Sequence, residues 1–486
     1  MKHRKSATVQ RILGFLVAGG SLMMLPPALI SWWYHDGTAS LFLASAVILF
    51  LIGTAIFLPV SHVREELRLR DGFLVVTACW LLLVLAGALP FLFLMQPEIS
   101  YVDAVFESMS AVTTTGATVL TNLDALPRGI LYYRQQLQWL GGLGFVVLAV
   151  AILPMLRIGG MQLYRAETPG PLKDNKLTPR ITETAKALWL VYLGITLLCA
   201  LAYWLGGMTA FDAIGHAFST VSTGGMSTHD AGFSWFDSPT LELIATLFMM
   251  ISGINFAVHF TAWKHASSQP YFQDPQLKVY TALLFGFTII TTIALYLNST
   301  NESLAESARL AVFQVVSIMT STGFTSADFS LWPGFLPVML ICIAFIGGCA
   351  GSTAGGMKVI RVMLLYRQAS REIRRLIHPR AVIPVKIGDS KISPSVMDAV
   401  WGFFFLFVAS FVLITIALNG VGVDPVTAFA AAAACITNLG PGLGDVSATY
   451  ASLGTAAKLI LSFAMLLGRL EIFTVLVLFS PAFWRD

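Results

Sequence analysis

The sequence predicts an all-α polytopic membrane protein with two N-terminal spans and four pseudo-symmetric helix–pore helix–helix repeats around one pore. Three observations predict it. Apolar residues make up 56% of the 486-residue chain and charged residues only 12%, about half the charged share of a soluble domain. Apolar runs of about 20 residues, the length that crosses a bilayer, recur along it. A Thr/Ser-rich string closing on glycine also follows a short apolar run: "TTTGATV" (113–119), "VSTGGMS" (221–227) and "TSTGFTS" (320–326), with "TNLGPG" (437–442) as a fourth copy. Self-similarity at a fixed period marks a repeat architecture.

Residues 1–70 hold two spans outside the repeat, Ile12–Tyr34 and Leu41–Val60. Lys2, Arg4, Lys5 and Arg11 precede the first in the manner of a secretory signal. Its apolar stretch is too long and lacks a small-residue cleavage site, so it reads as a retained anchor. Residues 71–180 form the first repeat. Span Phe73–Met95 leads to Val102–Val112, too short to cross at about 1.5 Å per residue, then to the string and a return span Gln138–Leu156. Residues 181–276 repeat the plan with span 187–207, short helix Phe211–Val221, "STGG" and return Leu241–Phe260. Residues 277–395 follow with Val279–Leu297, Ser307–Met319, "TSTGF" and a return at Phe335–Gly348. Residues 396–486 close the series with Val400–Leu418, Asp424–Ile436, "TNLGPG" and Ala456–Phe479. Gly116, Gly224, Gly323 and Gly440 lie about a hundred residues apart. Each return span carries a glycine mark of its own: "LGGLGF", "ISGINF", "IGGCAG" and "LGRLEIF".

Charge gives sidedness. Lys and Arg concentrate in 61–70, 157–180, 263–278 and 358–395, with nine in Lys358–Lys391 alone. Cytoplasmic loops carry such an excess, so these loops and both termini are expected in the cytoplasm. Arg128, Arg134, Arg309 and Lys458 are the main exceptions. Arg157–Arg180 and Lys358–Lys391 read equally as ordinary flanks and as a docking surface for a cytoplasmic partner. The run Arg371–Arg380 needs no nucleic-acid partner to explain it. The five cysteines fall in apolar stretches without metal-ligand spacing, and His216, His229 and His259 share a region without it, so neither disulfides nor a zinc site are expected.

Non-helical backbone inside a membrane survives only where protein or water covers it. Four re-entrant strings therefore require one another, and set around an axis they would line a water-filled path. Extended Thr-Thr-Gly backbone offers carbonyl and hydroxyl oxygens that can replace a cation's hydration shell. Glycine lets those carbonyls turn inward, and the C-terminal ends of the short helices favour a cation below them. Asp103, Glu107, Asp212, Glu306 and Asp424 near the outer helix starts read first as N-caps, with an attractive field as a second effect. Arg469 lies in an otherwise apolar return span, and an intramembrane charge is a functional hypothesis by default. It reads as a salt-bridge partner of Glu471 or a short-helix acid, or as a positive barrier beneath the strings. "FIGGCAGSTAGGMKVIR" sets five glycines in mid-membrane, where helix should break. Either a gating loop or a small-residue packing face fits it. A phosphate loop does not, because Met357 separates Gly356 from Lys358.

"TTTGAT", "LQWLGGLG", "AVAILPMLRIGGMQLYRAETPGPLKDNK", "HDA", "FIGGCAGSTAGGMKVIR", "NLGPGLG" and "GRLEIFTVL" together resemble the Trk/Ktr/HKT superfamily of potassium transporters over nearly the full length. The resemblance implies ten spans, four pore helices and one pore per chain in a bacterial inner membrane. It further implies a homodimer seated on a cytoplasmic nucleotide-binding ring of the TrkA type. Potassium, and less selectively sodium, would be cargo, with no resident cofactor and with lipid around the chain. It maps the potassium-binding filter onto Thr114 and Thr115, Ser222 and Thr223, Ser321 and Thr322, and Asn438 and Leu439, followed by Gly116, Gly224, Gly323 and Gly440. It places a gate at Gly347, Gly348, Gly351, Ser352, Thr353, Gly355 and Gly356 with a constricting Arg469.

Two other mechanisms compete. An alternating-access symporter driven by protons or sodium typically shows inverted repeats, whereas these repeats run in one sense. An intramembrane enzyme would need a base beside its Ser or Thr nucleophile, and no His or Lys recurs beside the strings. Enzymatic activity is not expected.

Overall fold

The structure of the protein, a computed structural model, describes residues 2–63, 69–94, 98–144, 181–298, 303–388 and 390–485. Helices Lys2–Gly20 and Leu25–Tyr34 form one side of an N-terminal hairpin, and Ala39–Phe57 forms the other. The hairpin closes tightly because Gly14 and Gly53 face the backbones of Phe57 and Ala18 with no room for a side chain. A carboxylate oxygen of Asp36 in the turn accepts the Gly129 N–H at 2.7 Å, tying the hairpin to the first repeat.

Four long helices open the repeats: Leu69–Leu92, Ile181–Leu205, Pro275–Asn298 and Pro394–Gly420. Four short ones follow: Tyr101–Val112, Ala210–Val221, Leu304–Met319 and Pro425–Ile436. Each short helix starts where a side chain can accept orphaned N–H groups. Ser100, Thr209, Ser303 and Asp424 do so for Asp103, Asp212, Glu306, and Val426 with Thr427, respectively. Such a cap is worth about 1 kcal/mol. The acids at the helix starts therefore belong to the capping turns, whereas Glu107 is buried one turn deeper.

The return helices hold the main departures from expectation. The first begins at Arg128, ten residues before Gln138, and runs to Trp139 before a π-helical turn at Leu140–Gly144. Arg134, Gln135 and Gln136, which precede the expected span, are buried helical residues, because Glu107 of the first short helix, Met226 of the second repeat and Met23 of the N-terminal hairpin supply their polar partners. The remainder of the expected span, 145–156, lies outside the described residues, as do the "GGMQLYRAETPGP" stretch and Arg157–Arg180. The second return is Pro239–Ser252 followed by Phe256–Lys264, bent by 91°. The third stops at Ala344 and resumes as Val359–Ile377. The fourth is Thr455–Arg469 followed by Phe473–Phe479, bent by 117°. Every return helix thus breaks near the glycine mark that its sequence carries.

Among the described residues, six helices are long and apolar enough to cross a membrane, and the two bent pairs add two more. Among the described residues, the strands are a hairpin of two two-residue strands, Lys386–Ile387 with Ser390–Lys391. Packing between repeats is cyclic. The first return helix lies on the second short helix, the second on the third, the third on the fourth, and the fourth on the first. Ion pairs mark two of these joints, Glu242–Arg309 at 3.1 Å and Lys458–Asp103 at 2.6 Å.

Candidate functional site

Below each short helix the backbone takes the same path. Thr113, Ser222, Thr320 and Thr437 cap the helices by donating N–H to the carbonyl four residues back. The next residues, Thr114, Thr223, Ser321 and Asn438, all have φ between 52° and 55°. Two residues further on, Gly116, Gly225, Gly323 and Gly440 have φ between 75° and 93°. In the second string the structural register falls one residue later than the expected one. Ser222 is the counterpart of Thr113, and Gly225 rather than Gly224 takes the left-handed glycine position. Two adjacent glycines satisfy either register locally, and the fold selects the second.

These glycines close a ring. A β-carbon on Gly116 would fall within 3.0 Å of the Gly224 carbonyl oxygen. One on Gly225 would meet the Thr322 oxygen, one on Gly323 the Leu439 oxygen, and one on Gly440 the Thr115 oxygen, all inside 3.0 Å. The order, first to second to third to fourth to first, is that of the helix packing. Thr115, Gly224, Thr322 and Leu439 therefore present four equivalent carbonyls at the joints of a closed loop. The ring residues carry no formal charge, and the C-terminal ends of four short helices converge on it, which favours a cation.

The ring is braced from behind. In the first string Thr113 and Thr115 share a hydroxyl hydrogen bond of 2.8 Å, and in the third Thr320 and Thr322 share one of 2.7 Å. The Asn438 amide donates to Thr115 Oγ1 and to the Met465 carbonyl, both at 3.0 Å. Tyr450 O–H donates to the Gly440 carbonyl at 2.6 Å. The second string leans on the first return helix. Gln138 Nε2 donates to the Gly224 carbonyl at 2.6 Å, and Gln135 Nε2 donates to that of Met226 at 3.2 Å. Arg134 pairs with the fully buried Glu107 at 2.7 Å and also reaches Thr118 Oγ1 at 3.0 Å.

Beneath the ring lies 345–358, the break in the third return helix. Thr353 Oγ1 donates to the carbonyl of Val221, the last residue of the second short helix, at 3.0 Å. Gly356 N–H donates to the Thr437 carbonyl at 3.1 Å, and Gly355 N–H to Ser321 Oγ. The loop is thereby pinned to the second, third and fourth strings. Arg469 completes the circuit. It donates to Thr114 Oγ1 at 3.1 Å, to the Thr353 carbonyl at 3.0 Å, and to the Gly141 and Gly142 carbonyls at 2.6 and 2.8 Å. Loop and arginine together contact all four repeats directly under the ring. Glu471, an expected partner of Arg469, pairs instead with Arg361.

The four cations that broke the charge asymmetry are all engaged on protein. Arg134, Arg309 and Lys458 pair with Glu107, Glu242 and Asp103, and Arg128 lies 4.3 Å from the Tyr34 ring centre. His216 is buried between the Asp212 carbonyl and Ser227 Oγ. His229 stands between Asp124 and Asp212, stacked on Trp235. Burial alone would lower its pKa, but the two carboxylates outweigh that and raise it. Sequence reading missed the bracing residues Glu107, Arg134, Gln135 and Gln138 as a group. Their signal was one helix face, Arg134, Gln135 and Gln138, in a segment otherwise lacking a reason to be polar.

Comparison with known proteins places this geometry in context. Residues 39–486 match the TrkH family, described as cation transport proteins. The Trk system potassium uptake protein TrkH of Halomonas elongata is 55% identical over 477 residues, covering 98% of this chain and 99% of that protein. Its counterpart in Escherichia coli K12 is 49% identical over 478 residues with the same coverage. The crystal structure of the potassium transporter TrkH from Vibrio parahaemolyticus superposes with a TM-score of 0.90 at 47% identity, over 100% of both chains.

Proposed function

Because the chain belongs to the TrkH family of cation transport proteins, a family of multi-pass membrane transporters for potassium uptake, we propose a channel-like mechanism for it. Potassium, and less selectively sodium, passes through the single ring of four strings and is gated by 345–358 together with Arg469. The closed cycle of glycines and carbonyls is the observation that carries this reading. It offers neutral oxygens from four sides at one level, the arrangement that replaces a hydration shell. The site residues are then Thr114 to Gly116, Thr223 to Gly225, Ser321 to Gly323 and Asn438 to Gly440, with Ser222 in the capping position.

The loop and Arg469 form the closed gate. An ion leaving the ring toward the cytoplasm meets the Arg469 guanidinium, which itself donates to the loop's Thr353 carbonyl. At about 4 Å and an effective dielectric of 20, two unit charges repel by about 4 kcal/mol. Opening therefore requires the arginine and the loop to part. The basic cytoplasmic loops support an inner-membrane orientation with both termini inside. They also support docking of a nucleotide-binding ring that drives the gate, with the protein working as a homodimer.

The test is rubidium uptake in cells lacking their own potassium uptake, paired with single-channel recording. Wild type should show ohmic unitary currents that do not depend on proton or sodium gradients, and Arg469→Ala should raise flux at least tenfold. Currents that are absent while uptake follows an imposed proton or sodium gradient would favour the alternating-access reading instead.

A further inference from the structure

The second string is built unlike the others at the residue before its ring glycine. Strings one and three carry Thr115 and Thr322 there, each held by a hydroxyl partner in its own string. String four carries the buried Leu439. String two carries Gly224 and so has no side chain with which to brace itself. A β-carbon at Gly224 would come within 3.0 Å of the Gln138 amide carbon, nitrogen and oxygen. The end of Gln138, a fully buried residue of the preceding repeat, therefore occupies the missing side chain's place. Its Nε2 donates to the Gly224 carbonyl at 2.6 Å, and its Oε1 accepts the Met226 N–H at 3.2 Å. One amide thus grips the residues on either side of Gly225. Among the described residues, no side chain donates to the equivalent carbonyls of Thr115, Thr322 and Leu439.

We infer that Gln138 is a positioning residue that sets ion specificity by restraining and weakening one of the four ring carbonyls. The inference rests on the ring being the ion filter. Discrimination between alkali cations depends on the number, spacing and field strength of the coordinating oxygens. An N–H donated to the Gly224 oxygen draws on its lone pairs and holds it at one distance from the axis. A weaker field favours the larger, more easily dehydrated cation. Loss of the donor strengthens that corner and lets it move inward, which favours the smaller ion.

Full-length variants are compared by rubidium and sodium uptake in cells lacking their own potassium uptake, at matched membrane abundance. This ratio is readable whether transport is channel-like or coupled, so its failure is separate from failure of the mechanism above. Gln138→Met removes donor and acceptor at similar volume and should lower the rubidium-to-sodium ratio about three- to tenfold, the scale of one hydrogen bond. Gln138→Glu keeps an acceptor for Met226 but has no N–H for Gly224, and should lower it as well. Gln136→Met is the control, since Gln136 is also buried but donates to the Met23 carbonyl of the N-terminal hairpin, and its ratio should not change. Should Gln138→Met fail to assemble, Gly224→Ala dislodges the same amide with Gln138 in place and should lower the ratio. A wild-type ratio in Gln138→Glu, or in Gly224→Ala, overturns the proposal, as does an equal fall in Gln136→Met.

Discussion

Exchanging one methyl group between adjacent glycines tests the register of the second string. Gly225 has φ of 75° and faces the Thr322 carbonyl, a backbone atom fixed within the ring. An L-residue in that conformation costs about 1–2 kcal/mol, and the Thr322 oxygen must also retreat. Backbone strain alone corresponds to a factor of about 5–30 in the population of the intact ring. Gly224 does not occupy the left-handed region, and a methyl group there meets the end of a glutamine side chain. Gly225→Ala should therefore reduce rubidium uptake at least tenfold at equal membrane abundance, while Gly224→Ala should keep total uptake within about threefold of wild type. Uptake kinetics over a range of rubidium concentrations, normalised to protein in the membrane, read the difference directly. The opposite order of severity would refute the structural register and return the ring position to Gly224.

Two further outcomes are expected. Arg134→Met strands the Glu107 carboxylate without its partner at a site that is 0% exposed and should cost about 3–5 kcal/mol. Adding Glu107→Gln should recover much of that loss, as measured by thermal melting of the detergent-solubilised protein. His229 should make stability depend on pH. Its pKa is raised between Asp124 and Asp212, so its contribution is complete below the ordinary value of about 6.5 and is lost as pH rises through the raised folded value. Melting temperature should fall across that window in wild type and change less in His229→Gln, and a slope equal in both would exclude the histidine.

Much of this molecule is legible locally. Apolar runs must cross or be buried, so the long helices and the N-terminal hairpin follow from composition along the chain. The four short helices end at Val112, Val221, Met319 and Ile436, the residues that precede the Thr/Ser strings, because hydroxyl-rich and glycine-rich sequence ends a helix without help from elsewhere. The start of the first return helix was not legible. A segment with Arg134, Gln135 and Gln136 looks like a loop until the partners of those side chains, 91 residues away for Gln135 and 113 for Gln136, are known. For the same reason the sequence offers Glu471 its near neighbour Arg469 as one of several alternatives, while the fold supplies Arg361 from 110 residues earlier.

By itself, the sequence determined the class of the protein, the number of its repeats and the location of its strings, because each depends on properties of contiguous residues. Only the tertiary structure decided the order in which the repeats close, which of two neighbouring glycines takes the left-handed ring position, and which side chains hold it. Those outcomes depend on atoms brought within 3 Å of one another from different repeats, and no local pattern carries that information.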